Sequence, residues 1–370
     1  MILRVIAVAI WFCALILPGA WAETLPPNSA PVGETMRFFV PPEPRNWRGA
    51  EKPGLLVRIW YPAQPGTIER PRLIGAPGHE LFIGHAAAMD AHLASAPRRF
   101  SLILLSHGTG GSADSLDWFG AGLAQSGFIV VGLNHPGNTA LGALTLDGFS
   151  LWWERARDVS DALDWILADP MLGPRVDQAR IGAAGFSLGG YTVLELAGAR
   201  TDRGNFDAFC ASLTADAICR PPEMDQMKKG AAPPSISAQT RESLAHAGDS
   251  YRDARIKAVF AMAPALGEAF TAQGMAGISV PVALTGGTAD GTVPVKTNIA
   301  RIVGFLPRAQ VTMQEGGGHY SFLDECVPAM HPVLPLICND LPGIERNDFH
   351  TRSLVLARDF FATNLPQNPK

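Results

Sequence analysis

The chain has 370 residues, of which 47% are hydrophobic and 17% charged, with 38 glycines and 30 prolines spread along it. That composition is too apolar for a disordered chain and has no Gly-X-Y period or internal repeat, so collagen, coiled coil and solenoid are excluded and a globular fold with a large core is expected. A net charge of −4 without a basic block argues against nucleic acid as a partner, because phosphate binding needs clustered Lys and Arg.

The first segment reads as a targeting element. Met1 to Arg4 is a short basic start, Val5 to Leu17 an apolar run, and Pro18-Gly19-Ala20-Trp21-Ala22 ends in the small-x-small pattern of a signal-peptidase site. The run is short of the roughly 20 residues that span a bilayer, so residues 1–22 are expected to be a cleaved signal peptide, with no stable membrane insertion afterwards. Cleavage removes Arg4 and Cys13 and moves the net charge from −4 to −5. Cys210, Cys219, Cys326 and Cys338 remain, an even number in a chain bound for the periplasm or the exterior. Of the three pairings, Cys210 with Cys219 and Cys326 with Cys338 each close a short loop and are expected. Neither pair has CxxC spacing and no Cys/His quartet accompanies them, so no metal site is expected.

Residues 23–35 are Pro-rich and read as extended. Met36 to Val40 and Leu55 to Tyr61 read as strands making an antiparallel start. Residues 63–99 have no steady period and read as loop, with a short helix around His85 to Leu93. Ser101 to Leu105 is a buried-strand run ending in Ser106-His107-Gly108-Thr109-Gly110-Gly111, followed by a helix over about 115–126. Phe128 to Leu133 is the next strand. A helix over about 151–168 carries Trp152, Val159, Leu163 and Ile166 on one face, and Pro170 stops it. Arg180 to Gly185 is a strand that runs into Phe186-Ser187-Leu188-Gly189-Gly190 and a helix to about Ala199. Residues 201–254 are polar and contain Cys210 and Cys219; they read as an insertion. Strands at Ile256 to Met262, Val280 to Leu284 and Gln310 to Met313 follow, and a helix over about 348–364 ends the chain. Strands alternating with helices of this length imply an α/β fold with a mostly parallel, doubly wound sheet.

Gly185-Phe186-Ser187-Leu188-Gly189 fits G-x-S-x-G between a strand and a helix. A serine there projects its hydroxyl clear of a tight turn, and the helix N-terminus favours developing negative charge. Ser187 is therefore the candidate nucleophile. It needs a base, and in the chain order of this motif the base follows it: His246, His319, His331 or His350. His319 stands in a glycine loop after the last strand and is the candidate. Asp290, in the loop after the Val280 strand, is the candidate acid that orients the imidazole, with Asp324 and Glu325 as rivals only five and six residues beyond His319. The two oxyanion donors are expected at the backbone N–H of Leu188 and of Thr109, with His107 in a structural role.

With these residues the chain resembles the α/β-hydrolases, and more narrowly the exported proteins grouped with dienelactone hydrolases and platelet-activating-factor acetylhydrolases. The carrying segments are Val57 to Ala63, Leu105 to Gly111, Asn134-His135-Pro136-Gly137-Asn138, Gly182 to Gly190, and those around Asp290 and His319, between about residues 36 and 325. Ser187 stands where dienelactone hydrolases carry cysteine, and Phe186 where the acetylhydrolases usually carry histidine. The resemblance implies one catalytic domain over 23–370 with 201–254 as a cap, in which Phe206, Phe209, Met224 and Met227 offer an apolar roof. Trp152 and Trp153 are further candidates for the pocket wall, and Lys228-Lys229 reads as a solvated pair. The implied activity is hydrolysis of small to medium acyl esters, from small-molecule or polymeric substrates, through an acyl-enzyme and without a cofactor. Amide or polyester hydrolysis on the same triad is the alternative, and a non-catalytic binding protein the remote one. Oligomeric state is not legible.

Overall fold

A computed structural model describes residues 30–43, 45–221 and 237–365. The expected signal peptide, Met224, Met227 and Lys228-Lys229 lie outside the described residues.

Ten strands form the sheet: β1 (Val32–Phe39), β2 (Leu55–Pro62), β3 (Arg70–Ala76), β4 (His79–Met89), β5 (Phe100–Ser106), β6 (Phe128–Asn134), β7 (Val176–Phe186), β8 (Ile256–Met262), β9 (Val282–Gly287) and β10 (Gln310–Gln314), in the spatial order β10-β9-β8-β7-β5-β6-β2-β1-β4-β3. From β10 to β6 all neighbours are parallel, whereas β2 runs antiparallel to both β6 and β1. Among the described residues the helices are α1 (Asp117–Gln125), α2 (Leu146–Ser150), α3 (Glu154–Ala168), α4 (Leu188–Ala197), α5 (Arg203–Cys210), α6 (Ala238–Ala245), α7 (Ala272–Met275), α8 (Ile299–Phe305), α9 (Pro335–Cys338) and α10 (Arg346–Asn364).

A central parallel strand is covered on both faces and so is apolar throughout. β5 has every residue buried, and its side chains divide by the period of two: Leu102 and Leu104 join the core layer under α3 and α4, while Ile103 and Leu105 join the layer under α1 and α10. The first layer takes Val159, Leu163 and Ile166 from α3 and the second takes Phe119, Phe360 and Phe361. Two layers of helix on one sheet place all the parallel strands' carboxyl ends along one edge, where the loops of interest sit.

The segment 63–99 departs from the expectation of a loop and short helix: it is the β3–β4 hairpin. Its strand content was hidden because two register shifts break the alternation, one between Arg70 and Arg72 and one between Ile74 and Gly75. Pro77-Gly78, with Gly78 at φ +77°, is the turn between the strands and was the overlooked signal. The Ala86-Ala87-Ala88-Met89 run suits a helix in isolation, but Ala88 and Met89 pair with Gly33 and Glu34 of β1, and this tertiary ladder overrides the local preference. His85 donates its N–H to Asp117 Oδ2 at 2.5 Å, and Arg72 is hydrogen-bonded to the same carboxylate, which pins the hairpin to the start of α1.

The third helix begins at Glu154, so Trp152 precedes it, and Trp153 is buried with its Nε1–H donating to Ser243 of α6 at 3.0 Å. Both disulfides are the short-loop pairs, Cys210–Cys219 and Cys326–Cys338, each with Cα atoms 5.4 Å apart. The second lies beside β4, where Ile83 donates to the Glu325 carbonyl at 2.7 Å and Val327 to that of Leu81 at 2.9 Å. Among the described residues no helix is long and apolar enough to cross a membrane. Changing both Cys326 and Cys338 to serine removes a crosslink over a separation of 12 residues, worth about 2–3 kcal/mol by loop entropy. A urea melt should show a lower midpoint for the double variant. An unchanged midpoint would mean that the pairing with β4 holds the loop unaided.

Candidate active site

β7 passes straight into α4 through one residue, Ser187, whose backbone lies at φ 55°, ψ −117°. A serine in this region is strained and persists only where its surroundings dictate the turn. They do so by close packing: a Cβ on Gly185 would stand 2.1 Å from the Gly189 carbonyl oxygen, and one on Gly189 would stand 1.9 Å from that of Ser106. Ser187 N–H donates to the Met262 carbonyl at 2.9 Å, tying the turn to β8. The hydroxyl emerges at the floor of a cleft of about 1190 Å³.

His319, in the loop after β10, has Nε2 3.0 Å from Ser187 Oγ, and its Nδ1 lies 2.7 Å from Asp290 Oδ2. The other Asp290 oxygen accepts the N–H groups of Thr292 at 3.0 Å and Val293 at 2.7 Å, so the turn after β9 fixes the carboxylate. All three side chains are buried, and the Phe186 ring packs at 4.8 Å from that of His319. With Nδ1–H donated to Asp290, Nε2 is the acceptor facing the serine hydroxyl. The rival groups are engaged elsewhere. Asp324 accepts the N–H groups of Asp117 and Trp118 at the start of α1, at 2.8 and 3.0 Å, and burial, then the neighbouring Asp117, pushes its carboxyl well up. Glu325 is exposed, His246 is exposed and paired with Asp249, His331 bonds Asn339, and His350 stacks on Trp118. Among the described residues no group of three His, Cys, Asp or Glu is placed to hold a metal ion.

Thr109 and Leu188 both line the cleft with Ser187. Beneath Thr109 lies a network of fully buried polar groups that sequence reasoning left unread. His135 Nδ1–H donates to Asp158 Oδ2 at 2.8 Å, and its Nε2 accepts from Ser106 Oγ at 2.9 Å. Asp158 also accepts from Arg45 at 2.5 Å and Arg48 at 2.7 Å. Burial opposes the charge on Asp158, yet the two guanidiniums and His135 hold its carboxyl below the usual carboxylate range. Burial, then the charge of Arg155, brings His135 down to about 3, and the same causes hold His107 well below the ordinary imidazole value, so both rings are neutral. His107 uses its Nδ1–H on the Gly108 carbonyl at 2.6 Å and accepts the His135 N–H at Nε2, the structural part expected of it. A signal for this network existed in the sequence: Arg155 falls three residues after Trp152 and four before Val159, on the apolar stripe itself, where an unpaired charge is not tolerated.

The walls of the cleft come from loops. Phe206 and Ile218 belong to the Cys210–Cys219 excursion and Trp152 precedes α3, while Ile74 and Phe82 come from the hairpin and Ile337 from the Cys326–Cys338 loop. Phe209 packs against the core and does not line the cleft, because α5 turns only one face inward.

Residues 85–208, which hold the Thr109 loop and Ser187 but neither Asp290 nor His319, match a family model described as PET hydrolase-like. The chain is 34% identical over 105 residues to Cutinase est1 of Thermobifida alba, covering 28% of this chain and 32% of the cutinase. It is 35% identical over 88 residues to Lipase 1 of a Moraxella species, covering 24% of each. These alignments span about a third or less of the curated relatives. Across nearly the whole length, 94% of this chain and 93% of the other, it superposes on a ferulic acid esterase from Streptomyces cinnamoneus with a TM-score of 0.58 and 18% identity. The fold is that of the α/β-hydrolases.

In this fold the helix behind the serine carries one buried acid. Glu195 of α4 accepts from Thr201 Oγ1 at 2.5 Å through Oε1, while Oε2 has no partner, and burial raises its carboxyl to about 8. Between pH 4.5 and about 8 the folded chain therefore keeps a proton that the unfolded chain has released, and stability falls as pH rises through that window. Glu195→Gln keeps the acceptor for Thr201 and removes the titration. Its melting temperature should exceed that of the wild type by more at pH 8.5 than at pH 5; an equal difference at both would show that Glu195 does not titrate there.

Proposed function

We propose that the protein is an exported serine esterase that hydrolyses carboxylic esters through an acyl-enzyme on Ser187. The observation that carries this reading is the continuous chain of Ser187 Oγ, His319 and Asp290, at 3.0 and 2.7 Å, opening into an apolar cleft. In this reading His319 takes the serine proton as Oγ attacks the ester carbonyl, and Asp290 stabilises the imidazolium that forms. The N–H groups of Leu188, in the first turn of α4, and of Thr109 receive the negative charge on the former carbonyl oxygen. His319 returns its proton to the leaving alcohol. Water, activated by the same imidazole, then releases the acid.

Two further lines support esters over other acyl compounds. The partial relatives are named as cutinases and a lipase, the full-length structural neighbour as a ferulic acid esterase. The cleft is lined mainly by aliphatic and aromatic side chains, with Leu73 and Leu336 exposed at its rim, which suits an acyl or alcohol group of small to medium size. Polyester hydrolysis draws support from the PET hydrolase-like match over residues 85–208. Export is supported by the apolar N-terminal run and by two disulfides, which persist in oxidising compartments. The described first part of the expected insertion, residues 203–221, forms one wall of the cleft and is stapled by Cys210–Cys219.

The chain lacking residues 1–22 should hydrolyse nitrophenyl esters with turnover falling as the acyl chain lengthens, and should leave matched nitroanilides nearly untouched. Comparable anilide turnover would move the assignment to an amidase. Ser187→Ala should lower kcat by about 10⁶-fold and Asp290→Asn by about 10⁴-fold, both with unchanged melting temperature. Unchanged turnover in Ser187→Ala would remove that residue from the mechanism.

A further inference from the structure

Arg155 of α3 is fully buried, and its guanidinium reaches both the loop after β5 and the helix after Ser187. On the side of the β5 loop it donates through Nη2 to the His107 carbonyl and, at 3.3 Å, to Ser106 Oγ. Through Nη1 it donates at 3.3 Å to Asn138 Oδ1, and that same oxygen accepts the Gly110 N–H at 2.8 Å. Thr109 is thus held from both flanks, by the carbonyl two residues before it and the amide one residue after it. On the side of the nucleophile, Arg155 Nε donates at 3.3 Å to Thr192 Oγ1, whose own hydrogen goes to the Leu188 carbonyl at 2.9 Å.

Both residues whose N–H groups are assigned to the developing oxyanion are therefore tied to one planar group, although they stand 79 positions apart in the sequence. We infer that Arg155 is the positioning residue of the oxyanion hole: it sets the separation of the Thr109 and Leu188 donors without touching the substrate. The inference rests on the serine-hydrolase reading above and extends it to a residue outside the triad.

Several features favour this role over simple packing. A leucine or methionine would fill the same volume between α3 and α4 without the cost of burying a charge. The donors are spent on the loop and the helix, and no carboxylate is hydrogen-bonded to the guanidinium among the described contacts; Asp158, on the next turn of α3, is hydrogen-bonded to Arg45, Arg48 and His135. A planar fork with fixed N–H directions is also the side chain that can hold two separate segments in one register, which a lysine's single ammonium does not do.

Stabilisation by an oxyanion hole requires donors placed for the tetrahedral intermediate's oxygen, and displacement lowers kcat more than it weakens substrate binding. The test uses matched nitrophenyl oxo- and thionoesters, because sulfur accepts N–H hydrogen bonds poorly and the ratio of their kcat/KM reads out the donors directly. Arg155→Lys should lower kcat for the oxoester about 100-fold with KM changed less than about threefold, and should lower the oxo-to-thiono ratio about tenfold. Thr192→Val, which removes only the link to Leu188, should move the ratio the same way by a smaller factor. Affinity for a trifluoromethyl ketone, whose adduct places an oxyanion in the hole, should fall in parallel with kcat/KM. Arg155→Met tests the loss of all donors; should it fail to fold, the lysine and valine variants still decide the matter. An unchanged ratio in variants that lose both activities equally would make Arg155 a packing residue and overturn the inference. Wild-type protein that turns over neither ester would instead remove the serine-hydrolase reading, and this inference with it.

Discussion

The backbone of Ser187 is the constraint around which the rest of the site is arranged. A non-glycine residue at φ 55°, ψ −117° sits outside the favoured regions, so the strain of order 1–3 kcal/mol must be held by neighbours that leave no alternative. Those neighbours are backbone: Gly185 against Gly189, and Gly189 against Ser106 at the end of β5. Because β7 and β5 are adjacent and parallel, the turn after one strand is pressed against the turn after the other. The strained serine and the Thr109 loop are consequently one packed unit, and neither conformation is independent of the other.

A packed unit of two polar loops brings backbone groups and charges into the interior, where each needs a partner. The chain meets that need with a network that reaches from Arg45 and Arg48 through Asp158 and His135 to Ser106, beside which Arg155 gathers His107, Asn138 and Thr192. The two histidines stay neutral because burial and the guanidinium charge both oppose protonation. His319, which faces Ser187, sits in a different setting, with Asp290 on one nitrogen and the Ser187 hydroxyl at the floor of the cleft on the other. One fold thus contains histidines fixed as scaffolding and a histidine placed to face a hydroxyl, and the difference lies in what surrounds each ring.

The sequence was most legible where one local rule decides the structure. The β5 and β6 runs and residues 258–262 of β8 are apolar segments that suit a doubly covered sheet, and Gly-x-Ser-x-Gly between strand and helix fixes its own turn. His319 and Asp290 were singled out from chain order together with the loops that follow β10 and β9, and the structure places His319 against Ser187 and Asp290 against His319. The β3–β4 hairpin was not legible, because its bulges spoil the alternation and Ala88 and Met89 are held extended by a partner strand 55 residues earlier in the chain. Arg155 was visible as a charge on an apolar stripe, but its partners come from β5, the loop after β6 and α4. No local pattern names partners drawn from three separate segments.

The same division explains how rigidity is distributed over the cleft. The sheet and its two helix layers fix the floor, where Ser187, His319 and Thr109 stand, since each follows a parallel strand buried in the core or a loop bonded to one. The walls have no such support. α5 with its following turn and the Val333–Ile337 stretch are loop-borne, and the hairpin stands at the far edge of the sheet. Each of the two loop walls carries a disulfide, and the second is also laddered to β4 through Ile83 and Val327. Crosslinks are therefore found where the parallel sheet cannot reach and are not needed under the serine. Such an arrangement leaves the strained turn fixed by the fold while the shape of the cleft is set by residues outside that turn.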